Sequence, residues 1–355
     1  MTLRIGSLFS GYGGLDLAVQ SVYDAEHAWF CEFDPAPSRI LAHHWPEVPN
    51  LHDVTTVDWS TVEPVDILTG GFPCQDVSVA GRRAGMTDGT RSGLWSHMVK
   101  AIGTLRPGLV VIENVGGLFS AQADSRVEPC DYNMGDADGG GHTVLLRALD
   151  SVLGTLATLG YDAEWVALRA ADVGAPHGRL RVFITAHPSG GGSGGRAALP
   201  LAGGAGGPDA PTIGADPRPD APGRAAELTL LPTPRAADST GVRGRTPNRS
   251  DAANEKAGLT LTDACQDTFG PYAPAIARWE EVTGRAHPAP TEEGRNRPRL
   301  HAPFVEWLMG LPPGHVTGVP NITRPQQLKA LGNGVVPQQG AAALWHLHNV
   351  RSSNP

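Results

Sequence analysis

The feature that most constrains the fold is an alternation, sustained over residues 1–187, of short apolar runs with segments of helical spacing. Runs at 3–9, 28–33, 66–70, 109–113, 165–169 and 181–186 are strand candidates, and the spacing predicts helices over 15–22, 36–45, 94–105 and 144–159. Strands alternating with helices specify a doubly wound α/β sheet. Gly174-Ala175-Pro176-His177-Gly178, between the last two strands, reads as a turn and predicts an antiparallel pair at one sheet edge.

Beyond residue 187 the pattern changes. Gly, Ala, Pro and Ser crowd 188–222, which reads as a linker or insertion. Residues 228–315 read as irregular; short helices are predicted at 304–311 and, beyond that stretch, at 326–331, with a longer one at 341–350. At 355 residues the chain exceeds one ordinary domain. The four cysteines lie far apart without a Cys-x-x-Cys, which disfavours a zinc site and a disulfide framework. No apolar run approaches the eighteen or so residues of a membrane span, so a reducing cytoplasm is expected. The Asp/Gly stretch 131–141 lacks the ligand spacing of a calcium loop. The net charge of −8 argues mildly against a protein that coats nucleic acid, but residues 218–299 hold 12 Arg/Lys against 11 Asp/Glu.

The chemistry concentrates at strand ends. Gly71-Phe72-Pro73-Cys74-Gln75 closes the third apolar run and presents a single cysteine on a Gly/Pro turn. A lone cysteine is usually a small buried hydrophobe, yet this presentation suits a nucleophile. Glu113 and Asn114 close the fourth run, where a buried carboxylate requires a partner, and Arg181 is the candidate. Arg179 and Arg181 share a strand face, an arrangement equally compatible with a solvated edge. Phe9-Ser10-Gly11-Tyr12-Gly13-Gly14-Leu15-Asp16 follows the first strand and opens a helix. Such a turn lets a ligand approach backbone N–H groups, although tight turns need glycine for structural reasons as well. Asp16 replaces the last glycine of a dinucleotide fingerprint. Glu32 ends the second strand at a spacing suited to gripping ribose hydroxyls; Asp53 could hold an adenine amino group, although taken alone it reads as an ordinary loop or cap aspartate.

Together these segments closely resemble the DNA (cytosine-5) methyltransferase family of bacterial and phage type. The resemblance implies a Rossmann-like methyltransferase sheet, a smaller irregular target-recognition domain, and S-adenosyl-L-methionine as cofactor. It assigns catalysis to Pro73, Cys74, Gln75, Glu113, Asn114, Arg179 and Arg181, with Cys74 attacking C6 of cytosine. It assigns cofactor binding to Phe9, Gly11, Gly13, Gly14, Leu15, Glu32, Phe33, Asp53 and Asn333. Pro176-His177-Gly178-Arg179-Leu180-Arg181 resembles the family's Gln-x-Arg-x-Arg motif, with His177 where Gln is usual. Leu331-Gly332-Asn333-Gly334-Val335-Val336-Pro337 resembles its last motif, and 297–312 resembles the segment that organises recognition. Residues 80–90 would then form a mobile loop closing over substrate.

The implied organisation is a catalytic domain at 1–187, a linker at 188–227, target recognition at 228–321 and a C-terminal return at 322–355. The implied partner is double-stranded DNA, read through the Arg-rich 228–300 stretch. A monomer is expected, and the resemblance admits a cognate restriction endonuclease in the same host. The competing readings are an RNA (tRNA) cytosine-5 methyltransferase and a catalytically inactive DNA-binding regulator.

Overall fold

The computed structural model describes residues 2–72, 93–116, 148–190, 199, 202, 228–240, 260–265, 269–294 and 298–353. Pro73, Cys74, Gln75, the 80–90 loop, the 131–141 stretch and Arg243, Arg245 and Arg249 lie outside these residues, as does most of 189–207.

The alternation read from the sequence is present as β1 (Leu3–Leu8), α1 (Gly14–Val22), β2 (Ala25–Cys31), α2 (Pro35–His44), β3 (Ile67–Gly70), α3 (Leu94–Leu105), β4 (Leu109–Val115), α4 (Ala148–Thr158), β5 (Tyr161–Arg169) and β6 (Leu180–Pro188). β2 and β5 begin earlier than expected because polar residues, Glu26 and His27 in one and Asp162 and Glu164 in the other, interrupt their apolar signal. The strands form one sheet in the order β2-β1-β3-β4-β6-β5. β1 pairs in parallel with β2 and β3, and β3 with β4. β6 runs antiparallel to both β4 and β5, so the expected edge pair exists and its inner member docks directly on β4.

Period-two alternation sends the two faces of this sheet into separate cores. Val110 and Ile112 of β4 pack with Met98 and Ile102 of α3 and Val152 and Leu156 of α4. Leu109 and Val111 pack on the other face with Leu15 and Val19 of α1 and with Leu344 and Leu347 from the C-terminal helix.

The region read as irregular holds a helix that the sequence analysis missed, α5 (Ala273–Thr283), which buries Ala275, Ile276 and Trp279. Only three apolar positions face inward, and Glu280 and Glu281 follow them directly, so no long stripe marks it. The predicted C-terminal helices appear as α6 (Ala302–Leu308), α7 (Arg324–Asn333) and α8 (Pro337–Ser353). A third apolar cluster joins Trp279, Phe304, Trp307 and Leu331 to Tyr12, Ala36 and Ile40 near the first two helices. At its centre the Glu306 carboxylate accepts from the N–H groups of Gly314, Val316 and Thr317, fixing the loop between α6 and α7.

Candidate active site

In an open α/β sheet the chain reverses direction of winding where β1 and β3 lie side by side, and ligands collect beyond the carboxyl ends of those strands. Among the described residues, the carboxyl ends of β1, β2 and β3 lead into residues 9–15, Glu32 and Phe33, and Phe72, and that of β4 carries Glu113 and Asn114.

The loop after β1 is tightly shaped. Phe9, Gly11 and Gly13 all have positive φ, at 54°, 56° and 82°. The two glycines differ in purpose: a Cβ on Gly13 would lie 2.9 Å from the Trp45 ring, whereas one on Gly11 would meet nothing within 4 Å. Gly13 is therefore a packing requirement and Gly11 an open approach to backbone. Gly14 is packed as well, its hypothetical Cβ 2.5 Å from the Val335 carbonyl. Leu15 points into the core beneath. Behind the loop, the fully buried Asp16 carboxylate accepts from Ser7 Oγ at 2.8 Å and Thr69 Oγ1 at 2.6 Å. It ties β1, β3 and α1 together, a role invisible to a reading that used Asp16 only to exclude a dinucleotide.

Glu32, one residue beyond β2, turns back to this loop. Its Oε2 accepts from the Gly11 N–H at 2.8 Å and its Oε1 from the Asp34 N–H at 2.7 Å. Burial raises its pKa, and these two N–H groups oppose the rise. Asn50, absent from the sequence reading, clamps the Glu32 main chain: Oδ1 accepts from its N–H and Nδ2 donates to its carbonyl. The neighbouring Phe33 ring is 73% exposed. Asp53 stands apart in its own turn, where it accepts from the Thr55 N–H and hydroxyl, contacts that lower its pKa.

Glu113 and Arg181 meet as the sequence required, Nε to Oε1 at 2.6 Å, both largely buried. The register explains the contact. Glu113 opposes Phe183 and Val115 opposes Arg181, so the pair is a same-face diagonal, within reach of two long side chains. Asn114, on the opposite face, donates to the Phe72 carbonyl at 3.1 Å and so holds the exit of β3 beside β4.

Arg179 shares the face of Arg181 but not its partner. It is buried, and its guanidinium donates to the carbonyls of Pro234, Gly332 and Gly334 while Nε has no partner among the described residues. Burial, reinforced by Arg181, pulls its pKa down. His177, also fully buried, bonds through Nε2 to the Leu308 carbonyl at 3.0 Å, and burial lowers its pKa to about 3, leaving it neutral. Asn333 ends α7 exposed, on a cleft of about 430 Å³ that Val115, Arg179 and Arg181 line from the sheet side. Tyr12 links this cleft to the glycine loop through its hydroxyl, which donates to Val335 at 2.6 Å. Among the described residues no group of His, Cys, Asp and Glu could hold a metal, and no helix is long and apolar enough to cross a membrane.

The Type II methyltransferase M.NlaIV of Neisseria lactamica is 30% identical over 188 residues, covering 52% of this chain and 41% of that protein. The chain thus spans less than half the length of that relative. Among solved structures, the S. pombe Dnmt2 methyltransferase has the same fold at a TM-score of 0.54 and 14% identity, over 99% of both chains. A putative DNA modification methyltransferase encoded within an E. coli prophage superposes with a TM-score of 0.51 at 17% identity, over 99% of this chain and 100% of that one. The family model for C-5 cytosine-specific DNA methylase matches residues 3–191, more than half of the chain and all the strands of this sheet, and the chain belongs to that family.

Proposed function

We propose that this chain is a DNA (cytosine-5-)-methyltransferase acting on C5 of cytosine within a specific sequence of double-stranded DNA. One observation carries the reading: the buried Glu113–Arg181 pair stands against the end of β3, from which the chain runs into Pro73-Cys74-Gln75. Cys74 follows Phe72 by two residues, and backbone dimensions allow that separation about 7 Å at most. Neither described thiol competes with Cys74, because burial pushes Cys31 and Cys265 up to about 12.

In this mechanism the Cys74 thiolate adds to C6 of an extruded cytosine while Glu113, oriented by Arg181, places a proton at N3. The new C6–S bond leaves C5 with enamine character. S-adenosyl-L-methionine, when bound, supplies an electrophilic methyl group to that carbon. Loss of the C5 proton to solvent, with the N3 proton returning to Glu113, then restores the C5–C6 double bond and releases the Cys74 thiolate. These ring atoms are inaccessible in a stacked duplex, so the base must leave the helix.

The cofactor suits the residues opposite. Each Glu32 oxygen takes one backbone N–H, which leaves lone pairs for a pair of ribose hydroxyls. The exposed Phe33 ring offers a shelf for adenine and the open Gly11 an approach to backbone, while Phe9, Gly13, Gly14 and Leu15 hold the loop in shape. Asp53 and Asn333 complete the proposed set, the first toward adenine and the second toward the methionine end. The division into 1–187, 188–227, 228–321 and 322–355 belongs to the same proposal.

Methyl transfer from labelled S-adenosyl-L-methionine to DNA, RNA or neither tests it. DNA labelling that Cys74→Ser abolishes, with cofactor binding near normal, is the expected result. Label on RNA alone would favour the tRNA-directed reading, and activity above a few percent in Cys74→Ser would remove the nucleophile. A 5-fluorocytosine duplex should trap a denaturant-stable adduct only with the cofactor present.

A further inference from the structure

The third wall of the cleft is built by residues 233–236, outside the segment matched by the family model. This stretch is anchored at several points. Leu231 is buried and its N–H donates to the Pro176 carbonyl at 2.8 Å. The Pro234 carbonyl accepts from Arg179 at 3.2 Å. Gly332 lies so close that a Cβ there would come within 2.1 Å of the Ala236 nitrogen. The wall is thus a fixed part of the site, backbone against backbone.

Its charge is unevenly committed. Arg181 is taken by Glu113, and Arg179 by three carbonyls. Arg235 is exposed on the cleft, and its guanidinium makes no hydrogen bond or ion pair among the described residues. The nearby Asp238 carboxylate accepts from the Arg235 backbone N–H at 2.8 Å and feels the Arg235 charge, but forms no ion pair with the guanidinium. A base drawn in toward Arg181 and Glu113 leaves its charged phosphates at the opening, where a guanidinium can bind one through paired N–H groups.

We infer that Arg235 binds a phosphodiester flanking the extruded cytosine and so holds the target nucleotide in the cleft. The inference rests on the function proposed above. The test is steady-state methylation of a duplex carrying the site found by methylation-sensitive sequencing, with the phosphate 5′ or 3′ of the target cytosine replaced, one at a time, by a neutral methylphosphonate. In the parent, one of the two replacements should raise KM for DNA roughly tenfold. Arg235→Ala should raise KM on the natural duplex by a similar factor, reduce the salt slope of binding by about one, and leave cofactor binding unchanged by calorimetry. The same replacement should cost Arg235→Ala nothing further, and Arg235→Lys should recover part of the loss. Unchanged KM and salt slope in Arg235→Ala, fully additive effects, or a parent indifferent to both replacements would overturn the inference alone. A parent that methylates no DNA would overturn the proposed function and this inference together.

Discussion

At the scale of single residues, Glu113 and Arg181 are a carboxylate and a guanidinium largely withdrawn from water, and each depends on the other. Glu113→Gln keeps the shape and removes the acid, so turnover should fall by roughly 10²–10⁴-fold. Arg181→Ala should be comparably damaging, since it leaves a buried carboxylate unpaired. Single-turnover rates at wild-type level in either variant would make the pair structural. Glu32 invites a pH experiment. Its pKa is raised, chiefly by burial, so on acidification it takes up a proton at a higher pH than an ordinary glutamate. A protonated Glu32 accepts ribose hydroxyls poorly. Cofactor affinity measured by calorimetry should therefore fall with decreasing pH before ordinary carboxylates titrate, and Glu32→Ala should bind weakly at every pH. A parent and a Glu32→Ala variant with equal affinity at neutral pH would remove the ribose role.

At the scale of elements, the site depends on close backbone approach between segments distant in sequence. Gly332, inside α7, is a glycine because the 235–236 backbone lies against it. Gly332→Ala should cost about 1–3 kcal/mol in urea unfolding through overpacking. It should also slow methylation, because the 233–236 wall must shift. Gly154 provides the opposite control. It lies exposed within α4 with nothing within 4 Å of a Cβ, so Gly154→Ala should stabilise by roughly 0.5–1 kcal/mol and leave activity unchanged. Equal stability for the two variants would mean that the approach of 235–236 to α7 does not constrain the fold.

At the scale of the whole molecule, the proposal separates chemistry from sequence choice. Replacing Arg243, Arg245 and Arg249 with Ala should weaken DNA binding and flatten its salt dependence, whereas shortening 189–207 should leave the methylated sequence unchanged. A triple variant that binds DNA as the parent does, or a shortened chain with a new target site, would refute that division. The sheet was legible from residue order alone because its signals are local: apolar runs of strand length, glycines at one strand–helix turn, and candidate site residues at strand ends. Glu113 and Arg181 were paired in advance by the cost of burying a lone charge. Asn50, the structural role of Asp16, and α5 were not legible because they are relational: a clamp on another residue's main chain, a buried carboxylate met by two hydroxyls, and a helix with a narrow apolar face. The sequence by itself determined the α/β class, the family and the residues at the strand ends, since periodicity and motif spacing are properties of contiguous chain. Only the tertiary structure decided that β6 lies between β4 and β5, that Arg179 serves three carbonyls and not the carboxylate beside it, and that 233–236 closes the cleft. Those outcomes depend on which distant backbone groups arrive unsatisfied at one place, and no local pattern in the chain encodes that.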